Sequence, residues 1–107
     1  MTTTVPALTE AVYYILLSLL SPLHGYGIMQ NVDDMSGGRV KLAAGTLYGA
    51  LSTMLERDWI QALPEDKDSR KKEYVITDLG HSILQGEMLR LKELLANGER
   101  ISGGIQR

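Results

Sequence analysis

The feature that most constrains this chain is an ordered pair of patterns in its middle third. From Ala44 to Arg57, Leu47, Leu51, Met54 and Leu55 recur at helical spacing and predict a helix with one apolar side. Two short strand patterns follow, Trp59 to Leu63 and Glu73 to Thr77, the second with Tyr74 and Ile76 on one face. Between them Pro64 to Ser69 is polar and turn-rich, and Arg70, Lys71 and Lys72 make its far side basic. A helix followed directly by a long-tipped hairpin leaves few ways to close a small core.

Composition bounds the rest. At 107 residues the chain is one domain with little core to spare. It is 44% hydrophobic and 22% charged, which is ordinary for a folded protein and argues against disorder. Phe and Cys are both absent, so the core is built from Leu, Ile, Val, Met and Tyr, without disulfides, thiolate metal ligands or a Cys nucleophile. The net charge of −2 counts against nucleic-acid binding, because such proteins usually carry a basic surplus. Six basic residues nevertheless gather in Arg39–Lys41 and Lys67–Lys72, while acids collect at Asp33, Asp34 and along Glu87 to Glu99. Local fields, not totals, decide phosphate contact. The longest apolar run, Ala11 to Leu20, is broken by Ser18 and stopped by Pro22, short of the roughly 20 residues a bilayer demands. The first residues lack the positive flank of a secretion signal, and a cytoplasmic protein is expected.

The remaining segments are helical. Thr9 is a good N-cap with Glu10 in the first turn, and Leu8, Val12, Ile15, Leu16 and Leu19 follow helical spacing until Pro22. Tyr13, Leu17 and Leu20 make the opposite side apolar too, so this helix needs cover on both sides, from a second subunit or from the hairpin and last helix. His24-Gly25-Tyr26-Gly27 turns into a second helix, roughly Tyr26 to Met35, with Ile28, Met29 and Val32 as its stripe and Ser36-Gly37-Gly38 as its stop. Arg39 to Leu42 alternates like a short strand. Thr77 caps a last helix running to about Asn97, with Gly98 as its stop. There Leu84, Met88, Leu91 and Leu95 repeat at the seam spacing of a short coiled coil, flanked by Glu87, Arg90, Lys92 and Glu93. Two heptads are too few to hold a dimer alone, but added to Tyr13, Leu17 and Leu20 they predict a homodimer. No repeat appears.

On about 100° per residue, Gly45, Gly49, Ser52 and Glu56 lie opposite the apolar side of the third helix, bordered by Thr46, Thr53 and Tyr48. Its exposed N-terminal half is therefore small and hydroxylic, suited to close approach to a duplex groove. An ordinary solvated helix face fits equally well at this point. Machinery for catalysis is missing. His24 and His81 are far apart, and neither has a metal-ligand partner at helical spacing. Gly25-Tyr26-Gly27 follows a helix and lacks a Walker lysine or GxGxxG. Asp33-Asp34 and Glu65-Asp66 are neighbours that point apart. An enzyme, a metal and a resident cofactor are not expected.

With the elements in place, the chain resembles the PadR family of bacterial transcriptional regulators. The matching stretches are Ala11-Val12-Tyr13-Tyr14-Ile15-Leu16, His24-Gly25-Tyr26-Gly27-Ile28, Gly38-Arg39-Val40-Lys41-Leu42, Gly45-Thr46-Leu47-Tyr48-Gly49-Ala50-Leu51, and Arg70 through Gly80, together covering about Thr9 to Leu95. The resemblance implies a mainly α fold with a small β-hairpin: a winged helix-turn-helix domain at 1–78, a C-terminal dimerisation helix at 79–101, and a frayed tail at 102–107. It implies that the third helix is the recognition helix, with Thr46, Tyr48, Gly49 and Ser52 nearest the groove. Lys41, Arg70, Lys71 and Lys72 would meet phosphates, with Tyr26 and Gln30 as weaker phosphate candidates, and Tyr26 slightly favoured as a packing residue. Two departures stand out. Ala43-Ala44 replaces a frequent Ser-Pro, which removes the expected cap, and Gly49 replaces a frequent Pro.

The expected function is a sequence-specific, dimeric DNA-binding repressor on an inverted-repeat operator, released by a small molecule. Family members that stack flat drugs use a Trp on the terminal helix, whereas Trp59 here begins the first wing strand as a hinge or core anchor. An aromatic effector is therefore only weakly implied. The alternative is a winged helix used as a protein-interaction module without DNA binding.

Overall fold

The computed structural model describes residues 6–65 and 71–104. Its elements, in order, are α1 (Glu10–Ser18), β1 (Leu23–His24), α2 (Gly25–Met35), α3 (Ala44–Glu56), β2 (Ile60–Ala62), β3 (Glu73–Ile76) and α4 (Asp78–Ser102). Local chemistry starts two of the helices as expected. The Thr9 hydroxyl accepts from the Val12 amide at 3.2 Å, and the Thr77 hydroxyl accepts from the Gly80 amide at 3.0 Å. α3 ends in a Schellman pattern. Asp58 takes a left-handed φ of 60°, the Asp58 amide donates to Leu55 O at 3.1 Å, and the Trp59 amide donates to Met54 O at 2.9 Å. That turn drives the Trp59 ring into the core, where the Arg57 guanidinium lies 5.3 Å from the ring centre.

The core draws on every helix. Ile15, Leu16 and Leu19 meet Ile28 and Val32 of α2, Leu47, Leu51 and Met54 of α3, Ile60, Tyr74 and Ile76 of the hairpin, and Leu84 of α4. The hairpin pairs Ile60 with Ile76 and Ala62 with Tyr74, and the Ile76 amide donates to Leu19 O at 2.8 Å, tying the sheet to the end of α1. Helix–turn–helix, hairpin and terminal helix thus form one winged helix with an added C-terminal helix.

Four expectations need correction. First, the sheet has three strands in the order β1-β3-β2, because Leu23 and His24 pair with Tyr74 and Glu73 before α2 begins. Residues 23–24 are too short for periodicity to show as a strand. Second, Arg39 to Leu42 is not a strand but a loop pinned by Ser36, whose Oγ accepts from the Val40 amide at 2.9 Å. Third, Gly98 does not stop α4. The helix runs through it to Ser102 and ends at Gly103, whose φ of +75° suits glycine. Interior glycine costs only about 1 kcal/mol relative to Ala, too little to stop a long helix. Ser102, assigned to the tail from the sequence, is accordingly the last helical residue, and residues 105–107 of that tail lie outside the described residues. Fourth, Leu84 belongs to the chain's own core, and Glu87, read as a seam flank, is 1% exposed.

Glu87 works as a clasp. Its Oε2 accepts from the Leu8 amide at 3.0 Å, and its carboxylate receives Arg90 Nε at 2.6 Å and a second Arg90 nitrogen at 2.8 Å. Satisfied on both oxygens, it fastens the segment before α1 onto α4. The Arg90 hydrogen bonds hold its pKa below the ordinary 4.5 against the opposing effect of burial, and the Leu8 amide adds to the lowering. Because the folded carboxyl is the stronger acid, its stabilisation is complete above the unfolded pKa and is lost as pH falls through the folded one. Thermal midpoints of the native chain and Glu87→Gln should therefore differ by a constant amount from neutral pH down to about pH 5 and converge below 4.5. A constant gap down to pH 3 would show that the charge is not what holds the clasp.

Candidate nucleic-acid interface

The face of α3 away from the core is open. Thr46, Gly49 and Ser52 are exposed, and Tyr48 is 48% exposed. The helix starts without a side-chain cap at Ala43, as the missing Ser-Pro foretells, leaving its first amides unpartnered by any cap. Side-chain atoms placed at Gly45 or Gly49 would meet nothing within 4 Å, so packing does not require glycine at either position. Each costs about 1 kcal/mol of helix stability relative to Ala. Folding alone does not explain the pair.

Tyr48 leans toward the start of α2. A Cβ on Gly25 would lie 2.5 Å from its hydroxyl, so the phenol rests on the start of α2 and glycine there makes room for it. Burial pushes the Tyr74 phenol above its usual pKa, and nearby Tyr48 adds to the rise. Tyr48 therefore braces the angle between α2 and α3 while leaving part of its ring in solvent.

Tyr26 departs from the packing role expected for it: it is 62% exposed, beside exposed Gln30 on the outer side of α2. Lys71 and Lys72 are exposed at the base of the hairpin, and Arg70 lies outside the described residues. The basic loop between α2 and α3 is more nearly neutral than its sequence suggests. The Arg39 guanidinium grips both carboxylate oxygens of Glu10, one at 2.7 Å, and Lys41 Nζ is 3.0 Å from Asp33 Oδ1. This pairing lowers the Glu10 pKa, chiefly through the Arg39 hydrogen bond. Partners 29 and 8 residues away explain why a linear count of charge missed it.

Of the predicted dimer residues, Tyr13 and Leu17 pack partly against the core, whereas Leu20, Met88, Leu91 and Leu95 are exposed. His24 ends β1, and His81 is exposed in the first turn of α4. Among the described residues, no three His, Cys, Asp or Glu side chains stand together as a metal site, and no helix is long and apolar enough to cross a membrane.

Comparison with known proteins agrees with this geometry. The model of the transcriptional regulator PadR-like family matches residues 15–86. A PadR family transcriptional regulator from Eggerthella lenta superposes with a TM-score of 0.71 at 20% identity, over 84% of this chain and 79% of that one. A PadR-like transcription factor from Bacteroides fragilis gives 0.68 at 25% identity, over 85% and 87%. An uncharacterized 37.1 kDa protein in a transposon of Streptomyces fradiae is 35% identical over 66 residues, which is 62% of this chain and 18% of that protein. The chain thus matches less than a fifth of that relative's length. The open face of α3, the three-stranded wing sheet and a family match spanning most of the fold converge on one assignment: the chain belongs to the PadR-like family of transcriptional regulators.

Proposed function

We propose that this regulator is a homodimeric, sequence-specific DNA-binding repressor acting in the cytoplasm on an inverted-repeat operator. The observation that carries the reading is the exposed, small-residue face of α3, in a fold that also exposes Lys41 ahead of that helix and Lys71 and Lys72 at the hairpin. Residues 1–78 form the DNA-binding part and α4 the dimerising part. Thr46, Gly49 and Ser52 approach the bases, while Lys41, Arg70, Lys71, Lys72, Tyr26 and Gln30 set register on the phosphates. Small-molecule release is part of the same proposal. A cleft of about 260 Å³, lined by Leu8, Val12, Ala50, Met54, Arg57 and Trp59, touches α3 directly and is where a compact aromatic effector would be felt.

A duplex from the chain's own upstream region, titrated against a shuffled control, tests the core of this reading. The native duplex should bind more tightly, with affinity falling on the order of a thousandfold between about 50 and 200 mM salt. Asp33→Asn frees Lys41 from its ion pair and should raise affinity for both duplexes alike, on the order of threefold at low salt. The neutralised Arg39–Lys41 loop favours one rival, a winged helix that binds protein instead of DNA. No binding to either duplex at low salt, with the dimer intact, would select that rival.

A further inference from the structure

Given the DNA-binding reading above, the chemistry of α3 restricts what it can read. Strong base readout uses two coplanar hydrogen-bonding groups: Arg or Lys on guanine, Asn or Gln on adenine, a carboxylate on cytosine. From Ala44 to Leu55, α3 contains none of these residues. Glu56 has a carboxylate, but it stands in the last turn, about 16 Å along the axis from Gly45, whereas recognition helices reach bases with their N-terminal residues. The hydroxyls are few and partly committed. Thr53 Oγ1 donates to Gly49 O at 3.3 Å, the Tyr48 hydroxyl rests on Gly25, and the single hydroxyls of Thr46 and Ser52 each discriminate little among bases.

What α3 offers is the methyl group of Thr46, beside bare backbone at Gly45 and Gly49, one turn apart and with nothing in the fold that requires either to be glycine. The apolar group on a major-groove base edge is the thymine C5-methyl, which packs against Ala and Thr methyls. We propose that α3 reads its operator through thymine methyl groups, by apolar contact at a backbone brought close by Gly45 and Gly49, instead of by paired hydrogen bonds to purines. Its ligand is duplex DNA with thymines facing α3 in each half-site.

The test begins with selection of an operator from a random duplex library by the full chain. Deoxyuridine then replaces single thymines, and 7-deaza analogues replace single purines, with binding followed by fluorescence anisotropy. Removing one critical methyl should weaken binding about fourfold, the effect of one buried CH₂, and the same change outside the footprint should not. Purine N7 removal should change affinity by less than about twofold. Gly49→Ala should raise Tm yet weaken operator binding by about tenfold or more, because its new Cβ holds the helix off the methyls. Strong dependence on purine N7, indifference to deoxyuridine, or full operator affinity in Gly49→Ala would overturn the methyl readout while leaving DNA binding intact. Failure to enrich any duplex would overturn the DNA-binding reading itself, and this inference with it.

Discussion

Gly80→Ala should unfold this domain at temperatures the native chain tolerates. A Cβ at Gly80 would stand 2.0 Å from Trp59 O and 2.7 Å from Ile76 Cγ1. The first contact is with backbone, not with the end of a flexible side chain. That carbonyl is already committed, accepting from the Thr77 amide at 3.0 Å, and the Thr77 hydroxyl, which lies 2.6 Å from Asp58 O, is 3.0 Å from it as well. The same Thr77 hydroxyl caps α4, so moving Trp59 O to admit a methyl disturbs the cap, the hairpin exit and the Trp59 packing together. Overpacking that cannot relax costs roughly 3 kcal/mol or more. In a domain of this size that is a fall in Tm of about 15 °C, or an insoluble product. Gly49→Ala carries the same chemical change at an open site and should act in the opposite direction. Circular dichroism melts of the two variants beside the native chain decide the matter. Equal small shifts would mean that the close packing of α4 on the hairpin is not what Gly80 secures.

Gly80 also illustrates what could be read from the sequence. The Thr77 cap, the core-facing Leu47, Leu51 and Met54, the Tyr74–Ile76 face and the hairpin are all local patterns, in which periodicity and capping chemistry sit within a few residues, and they hold in the fold. Features written across long separations were illegible. Glu87 looked like a solvated seam residue because its partner, the Leu8 amide, is 79 positions away. Arg39 counted toward a basic cluster because its partner, Glu10, lies 29 residues upstream. The two-residue β1 exists only because β3 supplies its partner. In the interface the sequence named the α3 face correctly as exposed, but it could not show that the Tyr48 hydroxyl is held against Gly25. For Tyr26 the sequence left packing and phosphate contact both open, and the start of α2 turns it outward.

Replacing Leu91 and Leu95 together by Glu should yield a folded monomer with little operator affinity. After Glu87, α4 departs from its own domain. Residues 91–102 are all exposed, and Leu89, Leu94, Leu95 and Ile101 are between 52% and 75% accessible. The chain measures 57 × 39 × 21 Å with a radius of gyration of 16.0 Å, against about 13 Å for a compact domain of this length, so the helix projects. An isolated amphipathic stretch of this length is marginal in water, and apolar side chains aligned along a projecting helix call for a covering surface. In the proposed homodimer a second copy of α4, together with exposed Leu20, would meet that demand with symmetry matching an inverted repeat. Four carboxylates brought together on such a seam oppose pairing by repulsion and desolvation, while Leu84 and the core it serves are untouched. Sedimentation at micromolar concentration should then give a monomer, with the hairpin and α1–α3 intact by near-ultraviolet dichroism of Trp59. Operator affinity should fall by about a hundredfold or more, since each half-site must then be bound without its tethered neighbour. A persistent dimer would place the interface elsewhere on the chain. A monomer that still binds fully would remove the inverted repeat from the proposed operator and leave α4 free for another partner.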